Sequence, residues 1–528
     1  MSGIASYIFV GVMMAVAATG ERVALIWFHR NWFRQGFAGD GAFHLAVVRE
    51  LQRTGSYAGM PYFLMSDEKE PDTYPILFHR FAALFSGRLI ETRPYLPSLV
   101  LWVVLSTAAA LYAQYVATVL LHRTGFAAVA VFIVLFLTAA SNLSLESNGL
   151  NYISLSERLL ARFACAFCFT GLAVAMMFGD PVSYGVAIAG GVATALTSMF
   201  GRQVVVFVLP LMALLSRDPR PLYLLAVSAV GATLIDGNYF LRGLRHMAMF
   251  SYAYHRLVKH SPFFKSALSR WVNWRIVFGR HGGLNARLGE IQSGEPTQLL
   301  ARLPELGLLV YFWVSGGGAE APAVAALIAC GVVYLLTTTP ALRQFGESIR
   351  YFEYSAWLLV PLLIAIHLTG SVVVPIGVLA IYAACVALFT YRRIAVWLVF
   401  TFPAKDQMRE LVERAGITAD STVFTVPLHL GAEVSARAMC RSFNYQGSAV
   451  TLEVYRRFAE TPPLLKRDWR SLARQYNVTH IVADKRYLQW IPTIVDWTYD
   501  FNDLPILGES DFYIAYSVPT GALEAGAS

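Results

Sequence analysis

Long apolar runs separated by polar connections dominate the first four hundred residues of this chain. Runs near the length needed to cross roughly 30 Å of hydrocarbon fall at residues 3–19, 97–121, 126–140, 159–178, 184–200, 204–215, 221–236, 304–315, 321–338, 354–369 and 372–390. About eleven spans are therefore expected, although a run as short as 204–215 or 304–315 fits a tilted, re-entrant or broken helix equally well. From about Lys405 the pattern changes. Strand-like stretches at Ser421 to Val426, His480 to Asp484 and Phe512 to Val518 alternate with helical ones near Asp406 to Ala415, Thr451 to Phe458 and Asp468 to Tyr476. That alternation predicts a small α/β domain. The expected architecture is a polytopic α-helical membrane core over residues 1–403 followed by a soluble α/β domain over 404–528.

Three long polar connections interrupt the core. The first, residues 19–95, holds GFAGDGAFHLAVVREL, which places Asp40 at the start of a short amphipathic helix, and PILFHRFAALFSGRL, a second such helix with Pro75 at its start. The second, 237–302, is basic, with Arg242, Arg245, Arg256, Lys259 and Arg270 interleaved with Tyr252, Trp271 and Trp274. Guanidinium groups among aromatic rings suit phosphate at headgroup level; a cytoplasmic loop obeying the positive-inside rule, or one binding anionic lipid, gives the same pattern. The third, 337–354, clusters Arg343, Glu347, Arg350 and Glu353 ahead of the next apolar run.

Composition agrees with the pattern: 56% of residues are hydrophobic and 14% charged, and the mean hydropathy is +0.51. The net charge of +8 lies in connections at membrane level, not on a soluble arginine-rich module, so nucleic acid is not an expected partner. The first apolar run has no basic region before it and Glu21-Arg22 is followed by more apolar residues, so it reads as a retained span with its N-terminus inside and the large connections outside. Cys165 and Cys168 spell C-x-x-C within an apolar run, where thiols one turn apart read as packing residues. Leu430-Gly431-Ala432 is isolated and forms no glycine-rich phosphate loop.

The order of one span, an external connection with an acid shortly before Phe43-His44, then Tyr74-Pro75 with Phe78-His79, many spans, Gly346-Glu347 with Arg350-Tyr351, and a soluble tail resembles the GT-C superfamily of membrane glycosyltransferases. The resemblance implies a bacterial inner-membrane, multi-pass enzyme that takes a sugar from a polyprenyl-phosphate carrier and passes it, with inversion, to an extracytoplasmic glycan or glycolipid. Membrane lipids and cell-envelope assembly proteins are its further expected partners. Asp40 is the candidate general base; as an Asp ahead of a helix it also suits an N-cap. Substrate contacts are expected from Tyr74, His44, His79, Glu347, Arg350, Arg158 and Arg202, the arginines lying at span ends where a lipid phosphate would sit. His44 and His79 equally suit buried, hydrogen-bonded structural roles, and Glu347, Arg350 and Glu353 suit simple surface ion pairs. Trp27, Trp32, Tyr57, Tyr62 and Trp274 suit either sugar stacking or an interfacial belt. The polar connection from Ser141 to Arg158 offers Glu146 and Glu157 and no D-x-D, unlike metal-dependent members, so no cofactor is expected, although Asp40, His44, Asp72 and His79 have the chemistry to ligate a divalent ion. Two other classes remain open from the residues alone: a transporter or flippase of an anionic glycolipid, and a non-catalytic membrane assembly subunit.

Overall fold

The computed structural model describes residues 3–30, 41–55, 77–122, 126–144, 153–258, 305–314, 321–339, 348–368, 406–443, 465–493 and 495–519, with a few single positions between them. In chain order the helices of the first half are α1 (Gly3–Phe28), α2 (Gly41–Thr54), α3 (Leu77–Ala82), α4 (Gly87–Thr92), α5 (Leu96–Tyr115, ending in a π-helical turn Val116–Leu120), α6 (Phe126–Ser144), α7 (Arg158–Phe178), α8 (Pro181–Thr197), α9 (Met199–Ser216), α10 (Arg220–Asp236) and α11 (Asn238–Val258). There follow α12 (Glu305–Val314), α13 (Ala321–Thr338), α14 (Arg350–Leu368), α15 (Gln407–Arg414), β1 (Thr422–Val426), α16 (Gly431–Ala438), β2 (Arg441–Ser442), α17 (Trp469–Tyr476), β3 (His480–Asp484), α18 (Lys485–Trp490), β4 (Ile506–Glu509) and β5 (Tyr513–Ser517).

The chain divides into two compact units. One comprises residues 1–28, 95–237 and 268–401 and is a helix bundle; the other comprises 29–94, 238–267 and 402–528. In the bundle, four helices among the described residues are long and apolar enough to cross a membrane: Ile4–Phe28, Leu96–Leu120, Arg158–Phe178 and Met199–Ser216. Arg220–Asp236 and Phe240–Met249 qualify as a fifth if taken as one span, and Ala128–Ala139, Pro181–Thr197 and Pro322–Thr338 are shorter apolar helices. This is a multi-pass membrane protein. The expected runs from 97 to 236 and from 304 to 369 each carry a helix, whereas the run 372–390 lies almost wholly outside the described residues.

α1 continues to Phe28, through Glu21 and Arg22, beyond the apolar run that predicts it. The charge is tolerated because Arg22 stands over the Trp102 ring, 4.1 Å from its centroid, and the Trp102 indole N–H donates to the Ala18 carbonyl at 3.1 Å. The central packing is α7 against α8, where backbones approach so closely that only glycine fits: a Cβ on Gly190 would lie 2.5 Å from the Cys168 nitrogen, and one on Gly171 would lie 2.8 Å from the Ser183 oxygen. Cys165 and Cys168 are buried there as free thiols.

The second unit is built on a five-stranded sheet of order β2-β1-β3-β5-β4, with β2, β1 and β3 parallel and β5 and β4 antiparallel. Successive residues of the central strands feed opposite faces. Phe424, Ile481 and Ile514 join a core with Trp469 and Leu472 of α17, while Val423, Val482 and Ala515 join a second core with Met408 and Leu411 of α15 and Val434 of α16. The expected strands and the helices near 406 and 468 are found where the pattern puts them; the expected helix 451–458 lies outside the described residues. The basic connection opens with an ordered helix, α11, on which Leu241, Arg242, Arg245, Met249 and Tyr252 are exposed.

Asp468 caps α17, accepting from the Ser471 amide at 3.2 Å; the Ser471 hydroxyl first, and this amide after it, hold its carboxyl below the ordinary carboxylate value. Because the folded pKa is the lower one, the stabilisation is present above the unfolded value near 3.9 and is lost as pH falls through the folded value. Asp468→Ala is expected to lower stability by about 1 kcal/mol at neutral pH, and by progressively less below about pH 4. Chemical denaturation of the intact protein at a series of pH values checks both the size and the sign.

Candidate functional site

In the unit built on the sheet, α2 and α3 bring His44 and His79 together. Each follows a phenylalanine, Phe43 and Phe78, and both imidazoles are buried. Nδ1 of His44 and Nε2 of His79 lie 2.9 Å apart, so one ring donates and the other accepts. This arrangement favours the structural reading: the histidines' facing nitrogens are spent on each other. α2 owes its burial to an unbroken run, since every residue from Gly41 to Val48 is buried. Asp40, which precedes Gly41, and Tyr74 lie outside the described residues, as does Glu347.

In the helix bundle, the first turns of α9 and α14 meet, and α7 joins them through its second and third turns. The ring of Phe200, second residue of α9, lies 5.3 Å from that of Tyr351 and 5.2 Å from that of Tyr354, both in the first turns of α14. Arg350, first residue of α14, has its guanidinium 5.5 Å from the Phe200 centroid. Further along α14, Arg162 of α7 donates from Nε to the Glu353 carbonyl at 3.1 Å and stands over Trp357, 3.5 Å from its centroid. Gly201 of α9 and Cys165 of α7 close the triangle, a Cβ on Gly201 falling 3.6 Å from the Cys165 sulfur. Arg158 is the first residue of α7, and Arg202, in the first turn of α9, is buried with Nε donating to the Ala195 carbonyl at 2.6 Å. Tyr351 donates its hydroxyl to the Phe345 carbonyl at 3.1 Å.

Arg202 and Arg350 are thus carried on helix starts that pack together, Arg162 joins them from the second turn of α7, and Arg158 stands one turn before it. Arg162 escapes a reading of the sequence by run length because it is the lone charge inside an apolar helix, yet that very position is the signal: an arginine within a span is costly unless it has a partner and a use. Its setting is aromatic. Trp357 stacks with Phe136 at 4.8 Å and with Trp102 at 5.9 Å, and Arg22 stands over Trp102, so each indole of the pair carries a guanidinium group. The N-terminal half of each of these helices carries partial positive charge from the aligned peptide dipoles. An anion is the ligand that such a place can hold. Among the described residues no three His, Cys, Asp or Glu side chains are grouped so as to hold a metal ion.

A helical membrane bundle with a C-terminal α/β domain is the class that this fold defines. Two solved structures match it over nearly its whole length: the crystal structure of ArnT from Cupriavidus metallidurans in the apo state, with a TM-score of 0.51, 13% identity and coverage of 98% of both chains, and that of the same protein bound to undecaprenyl phosphate, with a TM-score of 0.52, 12% identity and coverage of 98% of both chains. The protein therefore has an ArnT-like fold, in agreement with the expected membrane core followed by a small α/β domain. No protein-family model matches the sequence, and no curated protein matches it either.

Proposed function

We propose that this protein is an inverting GT-C-type glycosyltransferase of the bacterial inner membrane, moving a sugar from a polyprenyl-phosphate donor to an extracytoplasmic glycan or glycolipid. The observation that carries the reading is the packing together of the N-terminal halves of three arginine-bearing helices in a fold shared with a protein crystallised with undecaprenyl phosphate. In this reading Asp40 takes the proton of the acceptor hydroxyl as its oxygen attacks the anomeric carbon, and the polyprenyl phosphate departs from the opposite face. Phosphate is already a good leaving group, so the departing anion needs charge stabilisation more than a proton, and Arg158, Arg162, Arg202 and Arg350 supply it. Tyr74 and Glu347 serve the substrate, while His44 and His79 act through the placement of α2. Guanidinium groups here take the part that a divalent ion plays in metal-dependent relatives.

Purified protein in lipid nanodiscs, given polyprenyl-phosphate-linked sugars and an envelope glycolipid fraction, is expected to release polyprenyl phosphate only when acceptor is present. Movement of intact lipid-linked sugar across vesicles without release would instead establish a flippase. Arg162→Met adds a second check. Because the buried Glu353 carbonyl loses its donor, the variant is expected to melt below the parent, and its folded fraction to bind polyprenyl phosphate at least about tenfold more weakly. Equal affinity would remove Arg162 from the anion site.

A further inference from the structure

α2 is clamped at the end opposite Asp40. Arg49, two turns in from Gly41, donates from Nη1 to the carbonyl of Ala436 near the end of α16 and forms an ion pair with Glu91 of α4. Gln52, on the next turn, donates to the carbonyls of Ala83 and Phe85 at 3.2 and 2.6 Å, fixing the turn that follows α3. The helix that Arg49 reaches is itself rigidly seated. Arg437 ties α16 to Asp406, the cap of α15, through two hydrogen bonds of 2.9 Å. Gly431 lies so close to β2 that a Cβ would collide with the Phe443 oxygen, and the Ser442 hydroxyl donates to the Gly431 carbonyl at 2.7 Å.

We propose that Arg49 is a positioning residue: by joining α2 to Ala436 of the α/β domain and to Glu91, it makes the C-terminal domain the fixed seat of α2, the helix that Asp40 precedes in sequence. This rests on the reading of Asp40 as the base. The lever is short and stiff. From Gly41 to Arg49 the helix rises about 12 Å, and the eight residues from Gly41 to Val48 are buried, so α2 moves as a body or not at all. A neutral, shorter side chain at 49 leaves Glu91 and the Ala436 carbonyl without that donor, and the helix loses its tie to the sheet. Arginine suits the role because one planar group serves a carbonyl and a carboxylate at once. The α/β domain, which has no glycine-rich phosphate loop of its own, thereby acquires a part in the reaction without touching substrate.

The test uses the full-length protein in nanodiscs with Arg49→Ala, Arg49→Lys, Glu91→Gln and, in parallel, Asp40→Asn. Backbone hydrogen exchange over residues 41–48 is expected to speed at least about tenfold in Arg49→Ala, with kcat falling about 100-fold, as a misplacement near 1 Å can produce. KM for the lipid donor should stay within about threefold, and Arg49→Lys should recover part of kcat, as should Glu91→Gln relative to Arg49→Ala. Unchanged exchange over 41–48 overturns the inference, as does faster exchange with unchanged kcat. A kcat that falls only in proportion to the folded fraction overturns it too. Full turnover by Asp40→Asn removes the base assignment instead, and the exchange measurement then still decides on its own whether Arg49 seats α2. Should Arg49→Ala fail to fold, Arg49→Gln is read in its place by the same criteria.

Discussion

Asp40→Asn is expected to cut sugar transfer by about 10²- to 10⁴-fold, the contribution usually made by a positioned general base, while polyprenyl phosphate binding stays close to that of the parent. The substitution keeps size and hydrogen-bonding shape and removes only the capacity to take a proton. A role confined to capping α2 predicts something else, because Asn caps a helix about as well as Asp. Transfer would then survive. The comparison therefore separates catalysis from capping within a single variant, which Asp40→Ala, losing both, does not. Asp40→Glu gives the complementary result, a carboxylate displaced by one methylene, and should retain a small fraction of the rate. Normal turnover by a folded Asp40→Asn protein would end the catalytic assignment and leave a flippase or an assembly subunit as the readings of the fold.

What the sequence reveals of this protein follows from which forces are local. Span positions are legible because hydrocarbon demands a long apolar stretch and hides no backbone group, so the run 321–338 and the helix Ala321–Thr338 coincide. β1, β3 and β5 are legible as short runs rich in Val, Ile, Thr and Tyr. β2 and β4 are not. β2 is two residues whose extended state comes from parallel pairing with Thr422 and Val423, a partner far off in sequence. β4 is a mostly exposed edge strand, irregular in its pairing between Ile506 and Gly508, and so carries no alternation to read. The site divides in the same way. Arginines at span ends stand out in a sequence, whereas the contact of Arg162 with Glu353 and Trp357 depends on how α7 meets α14. For the histidines the sequence leaves two readings open, and burial with mutual hydrogen bonding is a matter of tertiary structure.

How α7 meets its neighbours also sets the largest stability effect expected in the bundle. Gly190→Ala places a methyl 2.5 Å from the Cys168 nitrogen, 2.7 Å from the Ala164 oxygen and 3.0 Å from the Cys168 Cα. These obstacles are backbone atoms of α7, which cannot swing aside as a side chain can, so the two helices must part along their whole contact, including the matching approach at Gly171. A loss of about 3 kcal/mol or more is expected, at the upper end for overpacking. Gly185→Ala, on the same helix, is the control. A Cβ there meets nothing within 4 Å, and removing a helical glycine from an open position should stabilise by up to about 1 kcal/mol. One chemical change thus has opposite signs at two positions five residues apart in α8, which composition or propensity alone cannot produce. Unfolding of both variants in mixed detergent micelles measures the difference, and shifts of the same sign would sink the close-packing account. Because α7 also carries Arg158 and Arg162, any Gly190→Ala protein that folds should bind polyprenyl phosphate more weakly, and a change in helix packing would then be read directly at the proposed anion site.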